Sequence, residues 1–350
     1  MAIKISKDNL AALVDSLRRS GMRVVAPVSR TAFTEFAEIV ALDEADFSQV
    51  NTRSSIKQFL FPATEPILSY SLEQSNVKLE CEEPPEPRKT VIIGSRPCDT
   101  ASLPILDKLF SWDCEDRFYL NRRAATVVIS IACTDCDDCC FCTAIGLGPD
   151  SKQGSDLLLV PGESGCYNAE PCTERGAELV KQHEKLFTQS AAPASVCKAV
   201  LEKLPKPLNL DRIANWLRGH FYDDFWQAAS LKCVGCGCCT FLCPTCHCFD
   251  ITDEHGRYRD GRRAGLRRKN WDSCQFAQFT LHASGHNPRP DRASRWRQRM
   301  MHKFLYYPER FGSRLCTGCG RCVRSCPVQM DIRDQLKAIE SMQADDEQHL

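Results

Sequence analysis

The sequence predicts an α+β chain in two parts. An N-terminal α/β-type domain covers 1–225, and a mostly helical domain covers 226–335. A long insertion at 244–315 interrupts the second part, and 336–350 forms a C-terminal tail. Three observations lead there. Short β-like runs alternate with helical stretches through the first 220 residues. A proline-bearing connection at 191–207 follows them. Beyond it, two near-identical cysteine runs begin at Cys233 and Cys316.

Residues 8–20 read as an amphipathic helix. Leu10, Leu13, Val14 and Leu17 share one face, and Gly21 ends it. The likeness to a membrane-surface helix is superficial, because a core-facing helix needs the same stripe. The β-like runs lie at 23–27, 90–94, 125–131 and 156–160. Helical stretches lie at 100–110 and 174–187. A further helical stretch at 211–230, rich in Trp and Phe, leads into the first cysteine run. After Ile332 a last helix frays into a polar tail.

The chain carries 23 cysteines in 350 residues, with 45 basic and 45 acidic side chains, so its formal net charge is zero. A disulfide scaffold explains such a cysteine count in short secreted chains. Here the first residues have neither an apolar core nor a small-residue cleavage site, and no run of 18 apolar residues occurs. The expectation is a cytoplasmic protein without a membrane span, whose cysteines are reduced and hold metal.

Both cysteine runs read C-x2-C-x2-C-x3-C-P, the pattern that holds cubane iron–sulfur clusters in two-cluster ferredoxins. In that pattern the fourth cysteine of each run serves the other cluster. It predicts two [4Fe-4S] clusters in a ferredoxin-like domain. Cluster I would use Cys233, Cys236, Cys239 and Cys326, and cluster II Cys316, Cys319, Cys322 and Cys243. Gly235, Gly237, Gly318 and Gly320 let the backbone turn tightly and aim N–H groups at sulfur. The competing reading is a zinc ribbon, which needs paired C-x2-C ligands and no Cys-Pro fourth ligand.

The insertion is basic. It has seven Arg or Lys between Arg257 and Lys269, and five arginines from Arg289 to Arg299. Three readings are open: nucleic-acid binding, counter-charge for anionic clusters, and a docking face for an acidic partner. With a neutral chain and no aromatic stacking pattern, no nucleic-acid partner is expected.

Further motifs surround these runs. They are Phe61-Pro-Ala-Thr-Glu-Pro66, Arg96-Pro-Cys98-Asp99, Cys133…Cys140-Phe-Cys142, Cys243-Pro-Thr-Cys246-His-Cys248-Phe-Asp, Trp271-Asp-Ser-Cys274, Gly285-His286-Asn and His302-Lys303-Phe. Over nearly its whole length the chain resembles one iron–sulfur subunit family. That family contains the beta subunit of cytoplasmic NiFe sulfhydrogenases and the corresponding iron–sulfur subunit of anaerobic sulfite reductase. The resemblance implies a soluble electron relay. Its partners would be a flavoprotein subunit that handles NAD(P)H and a catalytic hydrogenase or sulfite reductase subunit. No substrate-converting site of its own is expected. The rival function is a stand-alone iron–sulfur oxidoreductase with its active site in the N-terminal domain. Dinucleotide-binding, P-loop and nucleophile-elbow fingerprints are missing from the sequence.

Cys98, Cys133, Cys140 and Cys142 match family positions. The two strand-like runs at 90–94 and 125–131 would bring Cys98 and Cys133 together, so a third iron–sulfur cluster is the expectation, against a zinc site or packed thiols. Cys136 and Cys139 lie in the same loop and compete for ligation, and Asp135, Asp137 and Asp138 are poor neighbours for an anionic cluster. Cys246, Cys248 and Cys274 form another trio, which His247 or His286 would have to complete. Buried thiols are the expectation there. Cys81, Cys114, Cys166, Cys172, Cys197 and Cys238 carry no assigned role.

Overall fold

The structure is a computed structural model and describes residues 2–73, 76–80, 84, 86–190, 198–256 and 262–348. Arg257, Arg259, Cys81, Cys197 and the first part of the 191–207 connection, 191–197, lie outside the described residues.

Twelve strands occur among them. They are β1 (Ile3–Ser6), β2 (Arg23–Ser29), β3 (Thr34–Glu38), β4 (Thr64–Glu73), β5 (Asn76–Glu80), β6 (Thr90–Ser95), β7 (Thr126–Ile131), β8 (Leu157–Pro161), β9 (Cys166–Pro171), β10 (Thr188–Gln189), β11 (Phe249–His255) and β12 (Arg262–Trp271). The larger sheet has the order β10-β1-β9-β8-β7-β6-β2-β3. Its centre is parallel, β2 to β6 to β7 to β8, and its edges are antiparallel.

The central strands are near-continuous apolar runs because both sheet faces are covered. On β6, Val91 and Ile93 face a core with Leu10, Leu13, Val14 and Leu17 of the helix Lys7–Arg19. Ile92, one residue out of phase, faces Phe61, Leu103, Leu106, Phe110 and Tyr119. Ser6 caps the first helix, its hydroxyl accepting from the Asn9 N–H at 3.2 Å. The stretch read as one helix over 100–110 is two, Pro97–Thr100 and Leu103–Phe110. The 174–187 stretch is a helix, Glu174–Gln182, followed by a 3-10 turn, Glu184–Leu186.

The smaller sheet has the order β11-β12-β4-β5 and joins distant parts of the chain. Its β11–β12 hairpin comes from the basic insertion, and β12 pairs along β4 from Asn270↔Thr64 to Arg262↔Glu73. Reading the insertion as part of a helical domain missed this hairpin. Polar and charged residues dominate both its strands, and the alternation of Phe249 and Ile251 is too short to announce them.

A third core is helical. Ile213, Trp216, Leu217, Trp226, Trp296, Met300, Phe304, Leu336 and Ile339 form it, and Phe141, Ala144 and Ile145 from the N-terminal part join it. Side chains thus cross the expected boundary near residue 225. Among the described residues no helix is long and apolar enough to cross a membrane.

Candidate metal centres

The two cysteine runs fold alike. Gly237 (φ 76°, ψ −8°) starts the short helix Cys238–Phe241, and Gly320 (φ 75°, ψ −7°) starts Arg321–Arg324. Both glycines hold left-handed backbone, which strains any residue with a Cβ. Space forbids one as well. A Cβ on Gly237 would lie 2.7 Å from the Phe276 ring, and one on Gly320 would lie 2.3 Å from the Cys139 carbonyl oxygen.

Two cavities lie between the runs. One is lined by Cys233, Cys236, Cys239 and Cys326, with Cys238, Cys322 and Arg299 also at its wall. The other is lined by Cys243, Cys316, Cys319 and Cys322, with Arg299 and Lys303. Each cavity therefore has three cysteines of one run and the Cys-Pro cysteine of the other. Neither has a carboxylate among its lining residues. Such thiol-rich donor sets suit soft thiolate-bound iron.

The surrounding charges fit the same group. Arg299 and Lys303 are each 2% exposed. Arg299 donates to the Cys246 sulfur at 3.4 Å and to the Cys239 carbonyl at 2.8 Å. Lys303 donates to the Cys243 sulfur at 3.4 Å, the Thr245 hydroxyl at 3.2 Å and the Leu315 carbonyl at 2.7 Å. Among the described residues neither cation pairs with a carboxylate, and Arg299 Nε is buried without a hydrogen-bond partner. Two buried cations without an acid need anionic sulfur beside them. Burial alone would lower the Lys303 pKa; the charges of Cys243 and Cys246 outweigh it and hold the group well above its ordinary value. Lys57 approaches from the N-terminal part and donates to the Cys246 carbonyl at 2.9 Å. Burial pushes it down to about 8, against the raising influence of Cys246 and Cys243.

Sequence reading missed these cations as individuals. The signal was present: Arg295, Arg299 and Lys303 recur every four residues, one inward stripe on the helix that starts at Arg292. Lys303 stands where that helix passes through a π-helical turn, His302–Tyr306. The hairpin arginines differ. Arg267 pairs with Asp253 at 2.8 Å and Arg268 with Glu254 at 2.7 Å on the same exposed hairpin.

The N-terminal cysteines lie against the second run. Cys98 follows β6 and Cys133 follows the neighbouring β7, as the strand reading expects. Phe141 N–H donates to the Gly318 carbonyl at 2.9 Å. The Asn51 amide donates to the Cys319 carbonyl at 3.2 Å and reaches the Cys98 sulfur at 3.8 Å. Burial pushes the Cys98 thiol well up, and the charges of Asp99, Cys319 and Cys133 add to it. Burial, then the nearby Cys133, pushes Cys142 up to about 12. Cys136 and Cys140 both pack against the cluster of Cys142, Val200 and Leu204. The backbone N–H of Cys140 is bound by the Asp137 carboxylate at 3.1 Å. The aspartates have their own partners: Asp137 is paired with Arg324 and Asp135 with Lys203.

Arg321, inside the second run, ties it to the N-terminal part. Its guanidinium grips Asp99 with both terminal nitrogens, one at 2.8 Å, and its Nε donates to the Thr52 carbonyl at 2.9 Å. Both partners are 1% exposed.

Cys246 shares a sulfur hydrogen bond with Cys243, and Cys248 shares one with Cys274. His247 lies among them and packs against His302. Burial pushes His247 down to about 4, so it is neutral. His286 is exposed and meets His282 edge to face instead. Among the described residues no three His, Cys, Asp or Glu side chains stand close enough to hold a single metal ion.

Comparison with known proteins agrees with this chemistry. Residues 232–330 match the model of the 4Fe-4S dicluster domain. The chain is 29% identical over 334 residues to sulfhydrogenase 2 subunit beta of Pyrococcus furiosus, covering 94% of this chain and 95% of that protein. No solved structure matches the chain. The cysteine runs, the thiol-lined cavities and the comparisons thus agree: residues 232–330 form a 4Fe-4S dicluster domain, in a chain similar over nearly its full length to that sulfhydrogenase beta subunit.

Proposed function

We propose that the chain is an electron-transfer subunit of a hydrogenase-type multi-subunit oxidoreductase in the cytoplasm. A flavoprotein subunit that handles NAD(P)H would stand on one side of it and a catalytic hydrogenase subunit on the other; a sulfite reductase subunit is the finer alternative. The observation that carries this reading is the pair of cavities, each with three cysteines of one run and the Cys-Pro cysteine of the other. Cys233, Cys236, Cys239 and Cys326 would hold one [4Fe-4S] cluster, and Cys316, Cys319, Cys322 and Cys243 the other. When bound, the clusters supply one-electron redox centres. The protein's part is to bury the thiolates, to offset their charge with Arg299 and Lys303, and to keep the two sites in one rigid unit.

The N-terminal loop would hold a third cluster through Cys98, Cys133, Cys140 and Cys142, with Cys136 and Cys139 as competing thiols. Its support is the packing of 139–142 onto Gly318 and Gly320 and the amide shared by Cys98 and Cys319. Iron and acid-labile sulfide in anaerobically purified protein test both parts. Two clusters give about eight of each per chain, and three give about twelve. Zinc without labile sulfide would refute the reading.

A further inference from the structure

A cavity of about 700 Å³ lies apart from the cysteine-lined ones, within the range of small-molecule sites. Its walls include Phe110, Phe118 and Phe249, from three different elements, with Ile251, His247 and Lys269. We propose that this cavity binds a planar, uncharged, carbonyl-bearing aromatic ring, the chemistry shared by an isoalloxazine and a quinone.

Aromatic side chains offer a flat ring stacking and edge contacts. Phe249 and Ile251 are 38% and 50% exposed, so apolar surface stands open to solvent where a ligand would cover it. The polar groups select within that class. Lys269 is buried and is held by Asp116 at 2.6 Å and Glu65 at 3.2 Å. Its ammonium lies 5.4, 5.8 and 5.9 Å from the ring centres of Phe61, Phe118 and Phe249. An ammonium has three donors, so one remains for a ligand carbonyl. Asp116 offsets its charge, and Glu115 and Arg117 of the same wall are opposite in sign, so the cavity has no excess of positive charge for a ligand rich in phosphate. His247 bonds the Thr245 carbonyl through Nδ1 at 3.0 Å. That fixes the proton on Nδ1 and leaves Nε2 an acceptor for a ring N–H or hydroxyl. His247 also follows Cys246, whose thiol bonds to Cys243. That neighbourhood matters under the electron-relay reading; the binding itself does not rest on it.

The test uses the full chain after anaerobic iron reconstitution. Riboflavin binding is read by fluorescence quenching. Calorimetry reads menadione and 2-methylnaphthalene, the same skeleton without carbonyls. Saturable one-to-one binding of riboflavin or menadione is expected, and whichever is the tighter names the source. Menadione should bind about tenfold tighter than 2-methylnaphthalene, the worth of one charged hydrogen bond. Ile251→Asp and Phe249→Ala should each weaken binding about tenfold, with iron content and unfolding temperature unchanged. The proposal falls if neither ring saturates the wild type, if 2-methylnaphthalene matches menadione, or if both variants bind like the wild type. Iron content in the same samples judges the electron-relay reading separately.

Discussion

At the scale of the residue, Cys243 and Arg321 carry the most information. Cys243 belongs to the first run by sequence and lines the cavity of the second. Cys243→Ser should therefore remove about half of the iron, with the loss falling on the C-terminal run's cluster. EPR of the reduced protein would then show one isolated cluster instead of an interacting pair. Cys326→Ser should give the mirror result. If each variant lost the cluster of its own run instead, crossed ligation would be wrong. Arg321 poses a different question, because it makes a buried ion pair across the two parts of the chain. Arg321→Ala leaves Asp99 charged, buried and alone, which costs about 3–5 kcal/mol. Arg321→Lys keeps the charge and loses the two-nitrogen grip, so it should cost less than the alanine variant. Denaturant midpoints of the iron-loaded proteins measure both.

At the scale of the element, the basic run of the β11–β12 hairpin has two of its arginines paired within the hairpin itself. Arg267 and Arg268 face acids of the partner strand, in exposed pairs that add little to stability. We expect no saturable binding of duplex DNA at about 0.15 M salt, measured by fluorescence anisotropy. The hairpin also anchors the smaller sheet. Trp271, at its end, stacks toward Phe61 and Phe241 and lies 3.9 Å below the Lys57 ammonium. Trp271→Ala should cost about 3 kcal/mol of stability. A loss below half that size would mean that the hairpin is merely laid on the surface.

At the scale of the whole molecule, segments far apart in the chain meet around the cysteines. Lys57 comes from the N-terminal part, Arg299 and Lys303 from the insertion, and the thiols from both runs. Stripping the iron should therefore destabilise more than the cysteine loops, because it leaves buried cations without their counter-charge. We expect the iron-free chain to unfold at a clearly lower temperature and to be cut by protease within both cysteine runs. Equal stability with and without iron would contradict the charge argument.

Some of this was determined by the sequence alone, because the physics is local. Four cysteines at two- and three-residue spacing, with glycines that must take positive φ, specify the ligand loops wherever they lie. The apolar runs of β2, β6, β7 and β8 specify buried parallel strands for the same reason. The three- and four-residue spacing that marks Leu10 to Leu17 as a core face is equally local. The motif also carries the expectation that Cys243 and Cys326 change places, whereas only the tertiary structure decided which basic residues are buried beside the cysteines and where the insertion goes. Cys243 meets Cys316 and Lys57 meets Cys246 across most of the fold, and β12 pairs with β4 through backbone hydrogen bonds that any side chain permits. Those contacts are fixed by the joint packing of distant segments, which no window of neighbouring residues contains.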